Sequence, residues 1–205
     1  MVWDLVTEHA YINELWPIAL GQMRYLATLL LFFVILVDSW AQTDRDVFKQ
    51  VFIDFVLKDR QSKTGDLPPT TVIILNKPSH DIKVKSKDFE KYRSNYKKLD
   101  RLTFEDFVTK CQDDLKFSID TINNLQTVIV DKSSFNSVGD LYKLYPNFHL
   151  GLIELTNVGF NPTRTQALVY YGYQGGPMTG GGVYIVYIKK RTRWKVAKTI
   201  GAWAS

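Results

Sequence analysis

The strongest constraint on the fold is the pattern of the C-terminal quarter of the chain. Four segments there alternate apolar with polar residues or are rich in β-branched and aromatic residues: Leu152–Val158, Thr165–Tyr173, Gly182–Lys190 and Trp194–Trp203. A period of two is typical of a β-strand. Short connections over 161–164, 175–181 and 190–193 join them, and short connections favour antiparallel neighbours. The pattern predicts a four-stranded antiparallel meander.

Helical patterns precede this meander. Thr43 or Asp44 can cap a helix that runs to about Lys58, and its apolar residues recur at spacings of three and four. A second helix is predicted to start near Thr103, which can act as the N-cap, with Leu102 packing against Phe107. Further short helices are expected over 89–96 and 139–145, and short strands over 70–75 and 125–130. Helices followed by a run of strands predict an α+β fold, with the helices packed on one face of a C-terminal antiparallel meander of about four strands.

An uncharged apolar run, Tyr25–Val37, lies near the N-terminus. It is shorter than the roughly 20 residues that span a membrane and within the range of about 7 to 15 of a signal-peptide core. Arg24 precedes it, and Ser39–Ala41 resembles a cleavage site. The pattern therefore predicts a leader over residues 1–41, with a signal peptide at 23–41, and a single α+β domain over residues 42–205. An uncleaved N-terminal membrane anchor stays open as the alternative.

The basic charge of the chain is explained either by solubility alone or by attraction to anionic partners. Residues 1–41 contain one basic and four acidic residues, so their removal raises the formal net charge from +5 to +8. A domain this basic is attracted to anionic surfaces, although the Lys and Arg residues are spread out rather than gathered into one arm. The expected partner is an unknown protein or small ligand, and an anionic surface of the cell envelope stays open as an alternative. No nucleic acid is expected for an exported protein, and a membrane is expected only if the leader stays uncleaved.

The last strands also carry a recognisable series of short motifs. They are Val158–Asn161 (VGFN), Thr165–Tyr170 (TQALVY), the Gly-rich stretch 175–182, Trp194–Val196 (WKV) and Trp203–Ser205 (WAS). This series resembles the C-terminus of a group of uncharacterised exported bacterial proteins, and it implies no known activity. The order of helices and antiparallel strands is also similar to the cystatin-like cone shared with nuclear-transport-factor-like domains. That fold hosts both enzymes and binding modules.

Few residues suggest chemistry. Glu154 is the one acid inside a predicted strand, and in a pocket it could act as a general base, as could His149. His80 and His149 are the only histidines after the leader, which excludes a three-histidine zinc site. Cys111 is the only cysteine, so an intramolecular disulfide is excluded, and its place on an apolar helical stripe indicates a buried thiol. We expect no metal and no cofactor.

Aromatic residues are concentrated in the predicted sheet. Five of them are candidates for a ligand surface: Tyr170, Tyr171, Tyr173, Tyr184 and Tyr187. In alternating strands half of such rings face the core, so core packing is the competing interpretation. The sequence predicts an exported, non-enzymatic binding or structural module of the cell envelope. Two alternatives stay open: a small-pocket enzyme of the cone-fold type with Glu154 or His149 as base, and a membrane-anchored envelope protein.

Overall fold

A computed structural model describes residues 44–57, 71–77, 82, 84–115, 121–122, 125–145, 151–176 and 179–204. These residues belong to one compact unit, Asp44–Ser205. The leader predicted over residues 1–41 lies outside the described residues. Among the helices that are described, none combines the length and the apolar character needed to cross a membrane.

Four helices lie in the described residues. Helix α1 covers 44–57, and its last turn, Phe52–Leu57, is π-helical. The others are α2 (Phe89–Asn95), α3 (Arg101–Lys110) and α4 (Val138–Leu144). Helix α3 begins earlier than predicted from Thr103, because the side chain of Asp100 accepts a hydrogen bond from the Leu102 amide and caps the helix there.

The strands form one mixed sheet. They are β1 (Thr71–Leu75), β2 (Thr121–Ile122), β3 (Leu125–Val130), β4 (Leu152–Leu155), β5 (Gly159–Phe160), β6 (Gln166–Gly176), β7 (Thr179–Lys190) and β8 (Arg193–Ala204). Their order is β2-β3-β1-β4-β6-β7-β8, with β5 beside β6.

The C-terminal meander is confirmed, because β4, β6, β7 and β8 are antiparallel neighbours. The α+β class is likewise confirmed, although the sheet has more strands than the four expected. Strand β1 lies in the middle of the sheet and is parallel to both β3 and β4. Parallel neighbours require long crossover connections, and a local pattern in the sequence does not report which distant strands such a connection brings together.

Helices cover both faces of this sheet, which differs from the expected single helical face. Ala167 and Val169 of β6 pack in the cluster formed with α1, whereas Leu168 and Tyr170 of the same strand pack in the cluster formed with α2 and α3. Residues 166–170 are all buried. The reason for the difference is that β6 has apolar side chains on both of its faces, as strands covered on both sides do.

Helix α4 lies on the same side of the sheet as α2 and α3. Its Leu141 packs with Ile73 and Leu75 of β1 and with Leu152 of β4. The neighbours of Leu152 along the strand, such as Ile153, belong to the α1 cluster on the opposite face. We call the side with α1 face A and the side with α2, α3 and α4 face B.

Candidate functional site

Glu154 lies on face B, two residues after Leu152, and is only 1% exposed. In the register of the sheet, Glu154 lies opposite Gly172 on β6. Gly172 lies opposite Gly182 on β7, and Gly182 lies opposite Trp203 on β8. Two glycines therefore separate the carboxyl group from the indole across a single row of the sheet. The glycines leave room above this row that larger side chains would fill.

The side chain of Tyr170 occupies part of that room. The indole Nε1 of Trp203 donates a hydrogen bond of 2.7 Å to the Tyr170 hydroxyl. Burial raises the pKa of Tyr170 to about 12; the Trp203 hydrogen bond opposes this shift and the nearby Glu154 charge adds to it. The phenol therefore stays protonated at neutral pH. The Tyr170–Trp203 hydrogen bond therefore links β6 to β8 across β7, and Glu154 lies close to it.

The other tyrosines proposed for a ligand surface differ in their burial. Tyr184 and Tyr187 are buried, and the Tyr187 hydroxyl donates to Asp54 of α1 at 3.4 Å. Tyr171 and Tyr173 are partly buried, and the ring of Tyr171 lies 5.4 Å from that of Phe55, centroid to centroid. Tyr184, Tyr187 and Tyr171 therefore pack in or against the apolar clusters beneath the helices.

Two further sequence candidates are His149 and Cys111. His149 lies outside the described residues, so its distance from Glu154 is not defined. Cys111 is 1% exposed, and burial raises the pKa of its thiol to about 11. Since the thiolate is the nucleophilic form, Cys111 has the properties of the buried thiol that the sequence indicated.

The most unusual charge distribution lies at the turn between β7 and β8. Six cations and no acid occur over residues 179–204: Lys189, Lys190, Arg191, Arg193, Lys195 and Lys198. We call residues 189–198 the cationic hairpin. Five of these side chains are exposed, and the sixth, that of Lys189, is half-buried over the ring of Trp194. Among the described residues, no acid forms an ion pair with any of these six cations.

The fold brings these charges closer than their spacing in the sequence implies. Lys190 lies directly opposite Arg193, and the turn between them contains Arg191 at a φ of 56°. Like charges in facing positions of a sheet destabilise it. The run KKRTRWK was a signal available in the sequence, but reading the basic residues as evenly spread missed it.

Two clefts border the cationic hairpin. One, of about 370 Å³, lies between α1 and β8 and is lined by Gln50, Asp54 and residues 193–196. The other, of about 490 Å³, is lined by residues 190–193 and Lys195. A smaller cleft of about 200 Å³ lies on face B between α2 and β8, where Tyr92 and Tyr184 contribute their rings. Glu154 lines none of these three clefts.

Neither metal ligands nor relatives point to another site. Across the described ranges, no three His, Cys, Asp or Glu side chains are grouped so that they could hold a metal ion. Comparison of the chain with protein-family models, curated proteins and solved structures finds no match. The resemblance to exported bacterial proteins and to the cystatin-like cone therefore stays a prediction.

Proposed function

We propose that this protein is a non-catalytic binding module of the cell envelope, which engages an anionic partner through the cationic hairpin. Export is part of this proposal and rests on the apolar segment Tyr25–Val37 and its flanking residues. The observation that carries the proposal is the set of six cations without an acid between them. An anionic surface attracts such a set over a distance of about one Debye length.

The electrostatic cost of the arrangement supports this function. Lys190 and Arg193 face each other, and neither has an acidic partner among the described residues. A bound anion reduces their mutual repulsion, so binding offsets a cost that the folded protein otherwise carries.

The two alternative functions rest on other parts of the chain. An enzyme with Glu154 as base needs a substrate to reach a carboxyl group that is 1% exposed and lies outside the three clefts. A membrane-anchored protein needs residues 1–41 to stay attached. Sequencing the N-terminus of the mature protein tests the anchor, because a start at Gln42 excludes it.

The test of the hairpin is a charge-removal variant with a matched control. The variant combines Lys190→Gln, Arg193→Gln and Lys195→Gln. The control combines Lys87→Gln, Lys97→Gln and Lys132→Gln, three exposed cations elsewhere in the chain. Both lose the same net charge. Retention on immobilised heparin, a sulfated polysaccharide, is measured as the salt concentration at elution.

We expect the hairpin variant to elute at clearly lower salt than the control variant. Three exposed ion pairs of about 0.5–1 kcal/mol each correspond to a loss of roughly tenfold or more in affinity. The control is expected to elute close to the wild-type protein. Equal shifts in the two variants would mean that net charge alone governs retention, and they would overturn the assignment to the hairpin.

A further inference from the structure

Strand β8 lies at an edge of the sheet. In the order of the described strands it comes last, and β7 is its only paired neighbour. It is 12 residues long, and most of its side chains are exposed. An edge strand presents unpaired backbone N–H and C=O groups to solvent, and another extended chain can pair with them.

The hairpin geometry identifies which backbone groups point outward. A two-residue turn places Lys190 and Arg193 in a hydrogen-bonded pair. The Lys189 amide points the other way, to the Thr165 carbonyl at 2.8 Å. Along β8, Arg193 and Lys195 direct their N–H and C=O groups toward β7. Trp194 and Val196, which lie one position further along, therefore direct theirs away from β7.

The same alternation continues beyond the register shift near Ala197. Tyr184 lies opposite Ile200, and Ile185 lies opposite Thr199. Tyr184 lies six positions before Lys190 and therefore belongs to the same alternating set, whose backbone groups bond β8. Thr199, one position before the partner of Tyr184, directs its amide outward. The outer edge of β8 thus offers the backbone groups of Trp194, Val196 and Thr199.

The charges of β8 share one side of this edge. Trp194 packs into the α1 cluster on face A, so Arg193 and Lys195 project on face B, where Lys198 also lies opposite Val186 of the face B cluster. Side chains in facing positions of paired strands lie about 4.5–5.5 Å apart. A strand added beside β8 would place every second side chain next to these three cations.

We propose that β8 binds an extended peptide segment with acidic residues at alternate positions, which adds to the sheet as a further strand. This inference rests on the proposed function and names the class of its anionic partner. Charge complementarity selects the partner: glutamate or aspartate side chains pair with Arg193, Lys195 and Lys198. The same cations disfavour pairing of β8 with a second copy of itself, because like charges would then face each other.

The first test varies the backbone of the peptide and keeps its charge. Three ten-residue peptides alternate glutamate with threonine: one unmodified, one N-methylated on the threonines and one N-methylated on the glutamates. N-methyl groups on one set block one edge of an extended peptide, and groups on the other set block the opposite edge. The unmodified peptide is expected to bind the full chain, and one methylated peptide to bind at least tenfold more weakly than the other. Equal binding of all three overturns the added strand.

The second test varies the protein and keeps its charge. Thr199→Pro removes one outward amide, and proline is tolerated on an edge strand where its nitrogen faces solvent. We expect at least a tenfold loss of affinity for the unmodified peptide with unchanged retention on heparin, whereas the control Thr199→Val binds the peptide as the wild-type protein does. In the wild-type protein, the peptide is expected to slow hydrogen exchange of the Val196 and Thr199 amides.

The outcomes separate this inference from the proposed function. If the wild-type protein neither is retained on heparin nor binds the unmodified peptide, the anionic binding function itself is refuted. Binding of heparin or of phosphatidylglycerol vesicles without backbone-dependent peptide binding would refute only the added strand. If Thr199→Pro does not fold, unchanged exchange of the Val196 and Thr199 amides on adding peptide to the wild-type protein overturns the inference.

Discussion

At the scale of single residues, the glycines of the sheet differ sharply in what surrounds them. A Cβ atom built on Gly182 would lie 2.4 Å from both the Trp203 Nε1 and the Tyr170 hydroxyl. A Cβ atom on Gly172 would lie 2.8 Å from the same hydroxyl. By contrast, a Cβ atom on Gly201 of β8 meets nothing within 4 Å. The first two glycines make room for the Tyr170–Trp203 hydrogen bond, and Gly201 does not.

We therefore expect Gly182→Ala to destabilise the protein and Gly201→Ala to leave its stability unchanged or raise it slightly. The first substitution forces the ring of Trp203 or Tyr170 out of place, at a cost of about 1–3 kcal/mol. The second removes a flexible residue from a strand with room to spare, which changes stability by about 0.5–1 kcal/mol in the favourable direction. Urea denaturation measures both free energies of unfolding. Equal effects of the two substitutions would contradict the close packing seen at Gly182.

At the scale of elements, short helices depend on their caps. Helix α4 has seven residues, too few to be stable from helix propensity alone. A capping box precedes it: Asp140 accepts hydrogen bonds from the Ser137 amide at 2.9 Å and from the Asn136 amide at 3.2 Å. These backbone hydrogen bonds, first that from Ser137, lower the pKa of Asp140 below its usual value. The ionised carboxylate is therefore the form that stabilises α4.

This lowered pKa predicts a pH dependence for Asp140→Asn. A carboxyl group with a depressed folded-state pKa adds stability above its unfolded pKa of about 3.9, and this stability is lost as the pH falls through the folded-state pKa. The variant should be less stable than the wild-type protein at pH 7, and the difference should shrink below pH about 4. Thermal unfolding followed at several pH values measures it.

Lys143→Gln provides the control for this prediction. It removes the distant, exposed cation at 4.0 Å from Asp140 and leaves the capping hydrogen bonds in place. Its stability difference from the wild-type protein should be small at every pH. A pH-independent difference for Asp140→Asn would contradict the role of the ionised cap.

At the scale of the whole molecule, one sheet connects three apolar clusters. Strand β6 contributes Val169 to the α1 cluster and Leu168 to the cluster with α2 and α3. Strand β4 contributes Ile153 to the α1 cluster and Leu152 to the α4 cluster. Because these strands are shared, loss of packing on one face removes support from the other. The described residues should therefore unfold as one cooperative unit.

Leu141→Ala tests this cooperativity. Leu141 is 1% exposed on α4, and truncation of such a residue costs about 2–5 kcal/mol. We expect the whole transition to move to lower temperature in far-UV circular dichroism and in tryptophan fluorescence alike. The control is Leu144→Ala on the same helix, where the side chain is 63% exposed, with an expected change within about 0.5 kcal/mol. An early loss of helical signal, separate from the main transition, would show that α4 unfolds independently.

The sequence by itself determined the features that local patterns encode. Alternation between residues 152 and 203 predicted β4, β6, β7 and β8 and their antiparallel order, since a period of two and short turns act between near neighbours. The apolar stripe of α1 and the buried state of Cys111 followed from helical spacing in the same way. The run of cations at 189–195 was also present in the sequence, as a local feature.

Only the tertiary structure decided what depends on distant parts of the chain. The parallel pairing of β1 with β3 and β4 follows from crossover connections that no local pattern reports. The register across four strands set Glu154 and Trp203 in one row with two glycines between them. Strand β8 is at the edge because, among the described strands, it pairs with β7 and no strand follows it in the sheet. This edge position exposes both its charges and its backbone groups. Pairing between strands is a long-range contact, so these features arose only when the whole sheet was assembled.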